Sequence, residues 1–200
     1  MTKNRLLNIA ISICKFTKLI YIFSFIATTV IFIHIQIDRG AYNDLDIKIN
    51  HTGTPTTFSI GLNKSYSDKW KDPSNEVYVL GKLTTTTIYL IYFKFTCVFI
   101  LLFLSIKEFQ NIIQSVKRLD TFRLNNIISF RRIGKYSILY FILTLLYFIL
   151  SFNNTLYFGQ GGFSQTSISF TPLLFALISF ILAEIFKEGN KLQQENELTV

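Results

Sequence analysis

Four long apolar runs divide this chain of 200 residues, at about residues 19–35, 87–106, 136–152 and 168–186. A helix needs about 20 predominantly apolar residues to cross the roughly 30 Å hydrocarbon core of a bilayer. Half of all residues are hydrophobic and only 16% are charged, which is too apolar a composition for an ordinary soluble domain. We therefore predict an all-α integral membrane protein, a single membrane domain over residues 1–200 with four transmembrane helices.

The segment between the second and third runs, residues 107–135, determines the predicted orientation. It carries seven Lys and Arg residues against two acidic residues. Positive charge beside a span resists export, so we expect this basic loop in the cytoplasm. Both termini, including the tail at 187–200, are then cytoplasmic, and residues 36–86 and 153–167 face outward. We expect an integral protein of the cell (inner) membrane.

The formal net charge of +8 could also indicate a nucleic-acid-binding protein. The basic residues lie beside the spans rather than in a separate basic domain, however, so positive charge at the inner membrane surface explains them. We expect contact with membrane lipid and no direct contact with nucleic acid.

The outward segment at 36–86 changes from a helical pattern to alternation of apolar and polar residues. This pattern predicts a small β-hairpin or antiparallel sheet in the first extracytoplasmic loop. Two roles stay open for it, a sensor of a ligand or partner and a lid that packs on the helices. The alternating apolar residues are Ile47, Ile49, Phe58, Ile60, Leu62, Val77 and Val79.

Two charged residues fall inside the apolar runs. Lys94 lies about 10 Å below the outer end of the second run, at 1.5 Å per residue, which is shallow enough for its stem to reach water. Glu184 lies one turn from the inner end of the fourth run and is expected to meet Lys187 or Lys191. An intramembrane lysine also indicates transport or sensing, so a transport or channel-type component that uses Lys94 and polar helix seams is the alternative function.

Small and hydroxylated residues recur along the third and fourth runs. Their spacing predicts seams at which helices pack closely. Such seams also permit a homo-oligomer, which a transport pathway through four spans would require. The seam residues are Ser137, Thr144 and Ser151 in the third run, and Ala176, Ser179 and Ala183 in the fourth.

The sequence contains no motif for catalysis or metal binding. Its two histidines, His34 and His51, are not in a metal-ligand spacing, and HExxH, GxSxG, P-loop and paired-cysteine motifs are missing. We therefore expect no enzymatic activity, no metal and no cofactor.

Two short motifs carry a family resemblance. Phe122, Asn126 and the pentapeptide 130–134 form one in the basic loop, and residues 183–189 with Leu192 and the closing residues 195–200 form the other. Together they resemble a family of small bacterial four-span membrane proteins classed as a domain of unknown function. The resemblance implies a four-span fold in the bacterial inner membrane, no known enzymatic activity, and frequent genetic pairing with a small helix-turn-helix regulator. The chain departs from the family where Leu124-Asn125 replaces the usual Pro-Glu.

The predicted function is that of a non-enzymatic interaction or regulatory protein whose cytoplasmic face docks a soluble partner. A small helix-turn-helix regulator is the candidate that the resemblance supplies. Alternatively, the residues of this face only set the orientation of the chain through their positive charge and contact anionic lipid. The residues predicted to contact a partner or lipid are Phe122, Asn126, Arg131, Arg132, Gly134, Gly189, Leu192 and Leu198.

Overall fold

The computed structural model describes residues 3–43, 45–49, 55–60, 76–79, 83–152 and 169–198. The outward segment predicted at 153–167 lies outside the described residues, as do Leu62 of the predicted sheet and the last two residues of the C-terminal motif.

Four helices make up most of the described chain: α1 (Lys3–Ile37), α2 (Thr85–Lys117), α3 (Leu124–Phe152) and α4 (Thr171–Leu198). In the described residues, three stretches are long and apolar enough to cross a membrane, namely Arg5–Ile37, Thr85–Lys117 and Leu124–Leu150. The 33 residues of α2 extend about 50 Å, whereas the hydrocarbon core is about 30 Å thick. Part of α2 must therefore project beyond the hydrocarbon.

Large apolar side chains cover the outer surfaces of the helices. On α1, Phe16, Phe23 and Val30 recur every seven residues and are each more than half exposed. Bare apolar surface of this extent is rare on a soluble monomer, whereas lipid tails solvate it well. Together with the apolar helices, it indicates a membrane protein.

Three short strands lie between α1 and α2: β1 (Leu45–Ile49), β2 (Pro55–Ile60) and β3 (Glu76–Val79). They form an antiparallel sheet in the order β2-β1-β3, in which Ile47 pairs with Phe58 on one side and with Tyr78 on the other. Pro55 is the first residue of an edge strand, where its missing N–H disrupts the ladder least.

The described helices and strands fall into two compact units. The first comprises residues 1–25, 97–142 and 170–200, and the second comprises residues 26–96 and 143–169. In the second unit, Ile35, Leu83 and Ile88 form a buried cluster. Thr84 begins α2 by accepting a hydrogen bond from the Thr87 N–H (3.3 Å), as an N-cap residue does.

The core of the first unit consists of Ile112 from α2, Ile127 and Phe130 from α3, and Ala183 from α4. Ala183 is fully buried, and the buried residues of α4 are Ala176, Ser179 and Ala183. The small-residue face predicted for this helix is therefore confirmed as a packing face.

Candidate functional site at the turn between α2 and α3

The six residues 118–123 connect α2 to α3 in a tight turn of the first unit. Asn126 is only 2% exposed, and its side-chain amide donates to the Thr121 carbonyl (2.7 Å) and to the Ser115 hydroxyl (2.9 Å). The Ser115 hydroxyl in turn donates to the Asp120 carbonyl. One buried amide thus joins the end of α2, the turn and the first turn of α3. Asn126, which belongs to the sequence motif of the basic loop, therefore lies where α2, the turn and α3 meet.

Leu119 occupies an unusual position at the tip of this turn. Its φ is +63°, in the left-handed region that leucine rarely adopts, and its side chain is 81% exposed. Local strain of this kind persists only where surrounding bonds hold it, and here those are the bonds of Asn126 and Ser115. The fold therefore presents an apolar side chain to the surroundings at this turn.

Glu108 is a buried carboxylate near the C-terminal end of α2, two residues past the apolar stretch that ends at Ile106. It is 6% exposed, and its two oxygens accept from the Ser129 hydroxyl (2.7 Å) and from Arg132 (3.0 Å). Burial on its own raises the pKa of Glu108, but the hydrogen bonds from Ser129 and Arg132 outweigh it and hold the pKa below its usual range. The carboxylate is therefore charged and ties α2 to α3.

Arg131 faces α4 instead. Its guanidinium donates to Glu184 (2.7 Å), which also accepts from Lys187 (3.0 Å). The predicted contact between Glu184 and Lys187 is present, and Arg131 is an additional partner that the sequence did not indicate. All three side chains are about half exposed, so these ion pairs contribute little to the free energy of unfolding. Their main effect is to orient α3 relative to α4.

Phe122 anchors the turn to α4. Its ring lies against Gly189 so closely that a Cβ atom added at Gly189 would overlap it. The Asn190 side-chain amide donates to the Phe122 carbonyl, and the ring also contacts Phe186 (5.6 Å between centroids). This close approach requires a residue without a side chain at position 189.

An open groove of about 800 Å³ lies between the turn and the C-terminal half of α4. The α4 residues recur at three- and four-residue intervals, so they form one face of the helix. Leu192, which is 60% exposed, lies in the middle of that face. The residues that line this groove are Leu119, Thr121 and Phe122 from the turn, and Gly189, Leu192, Gln193, Asn196 and Glu197 from α4.

The remaining predicted residues lie elsewhere. Gly134 is in contact with Phe180, whose ring would lie 2.9 Å from an added Cβ atom. Leu198 is 87% exposed and does not line the groove. Lys94 belongs to the second unit, where its Nζ lies 3.8 Å from the centroid of the Tyr147 ring.

Sequence reasoning missed the roles of Glu108 and Ser129. The apolar periodicity of α2 places Gln110 on its polar face, but Gln110 is buried, and its Oε1 has no hydrogen-bond partner among the described residues. A signal for Glu108 was present, because it precedes the buried Ile112 by four residues and so lies on the same face of the helix. A buried acid on that face required a basic partner.

No group of three or more His, Cys, Asp or Glu side chains in the described ranges could hold a metal ion. A sequence family described as a protein of unknown function (DUF2975) matches residues 64–200. No curated protein and no solved structure matches the chain. The chain belongs to the DUF2975 family, which confirms the resemblance to a family of unknown function, and the match includes the turn and the α4 residues that line the groove.

Replacing Arg132 tests the buried carboxylate. We expect Arg132→Gln to destabilise the protein by about 1–3 kcal/mol, because it leaves the buried charge of Glu108 without its cation. Glu108→Gln should lower the free energy of unfolding by less than Arg132→Gln does. An amide at position 108 still accepts a hydrogen bond from Ser129, and the half-exposed Arg132 remains hydrated. Thermal denaturation of the detergent-solubilised protein measures both effects. If the double variant Glu108→Gln/Arg132→Gln is no more stable than Arg132→Gln alone, Glu108 and Arg132 do not act as a pair.

Gly189→Ala tests the contact with Phe122 through the sign of its effect. Replacing glycine with alanine inside a helix normally stabilises by about 0.5–1 kcal/mol. In the native background we expect Gly189→Ala to lower the melting temperature, because the new Cβ overlaps the Phe122 ring. In a Phe122→Ala background, the same substitution should raise the melting temperature above that of Phe122→Ala alone. Glu188→Ala on the exposed surface of α4 is the control. Stabilisation by Gly189→Ala in the native background would show that the ring moves away freely.

Proposed function

We propose that this member of the DUF2975 family is an integral membrane protein whose cytoplasmic face docks a soluble protein. The observation that carries the proposal is the groove between the turn and α4, with the exposed Leu119 and Leu192 on its two sides. Apolar side chains that are surrounded by polar residues and open to a partner form the usual centre of a protein-protein contact.

The proposed topology has four spans, with α4 as the fourth. Its apolar part, Pro172 to Phe186, covers about 22 Å, and the apolar run in the sequence begins four residues earlier. Pro172 lies in the first turn of the helix, where a missing N–H costs little. The basic residues between α2 and α3 support a cytoplasmic position for the turn, the groove and the C-terminal half of α4 in this topology.

Distance from the bilayer favours a protein over lipid as the group that contacts Leu119. Lys117, the last residue of α2, lies about 16 Å along the helix axis from Ile106, where the apolar stretch ends. The headgroup layer is only about 5–8 Å deep on each side of the hydrocarbon core. Leu119 follows Lys117 and is therefore too far out to reach acyl chains unless α2 tilts strongly.

The charges near the groove indicate the character of the partner. Lys117, Arg118 and Arg123 flank Leu119 in the turn region, against Asp120 in the same stretch. An acidic surface with an apolar residue at its centre complements this arrangement. The family resemblance suggests that a small helix-turn-helix regulator is this partner. Arg131 and Arg132 act within the protein, where they fix the helices that carry the turn.

The alternative function, transport, depends on Lys94. Its ammonium group lies over the Tyr147 ring, and such a contact stabilises a cation in a helix bundle without any permeating species. Thr87, which lies seven residues before Lys94 on α2, is buried. These contacts are those of a packed helix, and transport stays the second candidate.

Cysteine labelling tests the topology. In a background with Cys14 and Cys97 replaced by alanine, we expect Lys117→Cys to react with a membrane-impermeant thiol reagent only after lysis. Ser65→Cys and Ser164→Cys should react in intact cells. Lys117 is exposed at the end of α2, so its substitution spares the Ser115 hydrogen bonds. Labelling of Lys117→Cys before lysis would invert the orientation and remove the cytoplasmic groove.

Photocrosslinking from the groove tests the docking. We expect Leu192→p-benzoylphenylalanine to form an adduct with one soluble protein in cells, because this exposed side chain lies in the middle of the α4 face that lines the groove. The matched control is Leu198, which is also exposed on α4 but lies outside the groove. The captured protein is then purified, and its Kd for the detergent-solubilised chain is measured with and without Leu119→Asp. Equal adducts from both positions, lipid adducts alone, or a Kd that Leu119→Asp leaves unchanged would contradict the proposal.

A further inference from the structure

A second concave site adjoins the same turn. A cavity of about 320 Å³ lies between the C-terminal part of α2 and the first turns of α3. The turn contributes Arg118, Asp120 and Arg123 to this cavity, whereas its residues 119, 121 and 122 line the groove. Eleven of its twelve lining residues are polar or charged, Ile128 being the exception, and this distinguishes the cavity from the groove in the chemistry that it can bind.

The charges in the cavity do not cancel. It contains three arginines and two acids, and Arg132 is neutralised by Glu108 at 3.0 Å. Arg123 lies 3.7 Å from Asp120, at which distance the charges attract but a good hydrogen bond does not form. Arg118 has no ion-pair partner within the described part of the chain. The net charge of the lining is +1, and the donors of Arg118 and Arg123 are largely unused.

A pair of arginines with free donors is suited to binding phosphate. The guanidinium group presents a planar fork of donors that matches the oxygens of a phosphate. The cavity also contains side-chain amides, from Gln114 and Asn125 among others, which can donate to the remaining oxygens. Its volume is at the lower end of the range for small-molecule sites, about 300–1,000 Å³. We infer that this cavity binds a small phosphate-bearing anion through Arg118 and Arg123.

The phosphate can come from two sources. Glu108 lies about 3 Å past the end of the apolar stretch of α2, at headgroup depth, and Arg118 lies about 18 Å past it, in the aqueous layer. The cavity therefore extends from the headgroups of lipids into water. A phospholipid headgroup and a soluble phosphate monoester share the group that the two arginines recognise.

Calorimetric titration of inorganic phosphate and of glycerol 3-phosphate into the full chain, in a neutral detergent, tests the site. We expect saturable binding that is at least about tenfold weaker in Arg118→Gln and in Arg123→Gln, because each loses a charge-assisted hydrogen bond. Lys117→Gln is the matched control, since it removes the same charge from an adjacent exposed residue that does not line the cavity. Arg118 makes no ion pair with any residue that the structure describes, so Arg118→Gln should retain the native melting temperature.

Three results would overturn the inference: no saturable binding of either probe, equal affinity in Arg118→Gln, or the same loss of affinity in Lys117→Gln. The source of the phosphate is decided in nanodiscs. If phosphatidylglycerol in the disc blocks glycerol 3-phosphate binding and phosphatidylcholine does not, the occupant is an anionic lipid headgroup. If the probe binds equally in both discs, the occupant is soluble. The titrations use the purified chain without a partner, so their outcome does not depend on the docking proposal, and neither variant changes a residue that lines the groove.

Discussion

The buried amide of Asn126 is the interaction on which the cytoplasmic end of the protein depends in the proposed topology. It holds the Thr121 carbonyl and the Ser115 hydroxyl, and Ser115 holds the Asp120 carbonyl. The buried Asn126 amide would carry a desolvation penalty of about 1–3 kcal/mol if it lost these bonds. The network therefore selects one conformation of the turn, including the left-handed backbone of Leu119.

The carboxylate of Glu108 fixes the position of α3 along α2. A charge at this depth is tolerated only because Ser129 and Arg132 both donate to it, and both residues lie on α3. Sliding α3 along α2 by one turn, about 5.4 Å, would leave the carboxylate unpaired. Packing of Ile112, Ile127 and Phe130 alone would not select a register so sharply, since apolar contacts lack direction.

Apolar run length predicted much of this architecture, because the bilayer makes the length of a helix visible in the sequence. The small-residue face of α4 was predictable for a similar reason: residues such as Ala176, Ser179 and Ala183 serve little purpose on a lipid-facing surface. The burial of Gln110 was not, because polar residues near the end of a span are usually solvated and only the tertiary contacts reveal which are buried. For Glu108, the spacing of four residues from Ile112 did indicate the buried face, but its partners Ser129 and Arg132 could be identified only from the tertiary contacts. The left-handed Leu119 was also hidden, since leucine has no propensity for that conformation and the bonds that impose it join residues five to eleven positions apart.

The same six-residue turn presents different chemistry to its two concave sites. Arg118, Asp120 and Arg123 line the polar cavity, and the three remaining residues line the groove. Because the turn is short and fixed by Asn126, a backbone shift at any of its residues moves side chains in both sites. The bonds of Asn126 and Ser115 oppose such a shift and hold one conformation of the turn. The proposed anion and the proposed protein partner would therefore each meet side chains that are already positioned, and neither would have to order the turn on binding. A flexible loop would add that ordering cost at both sites.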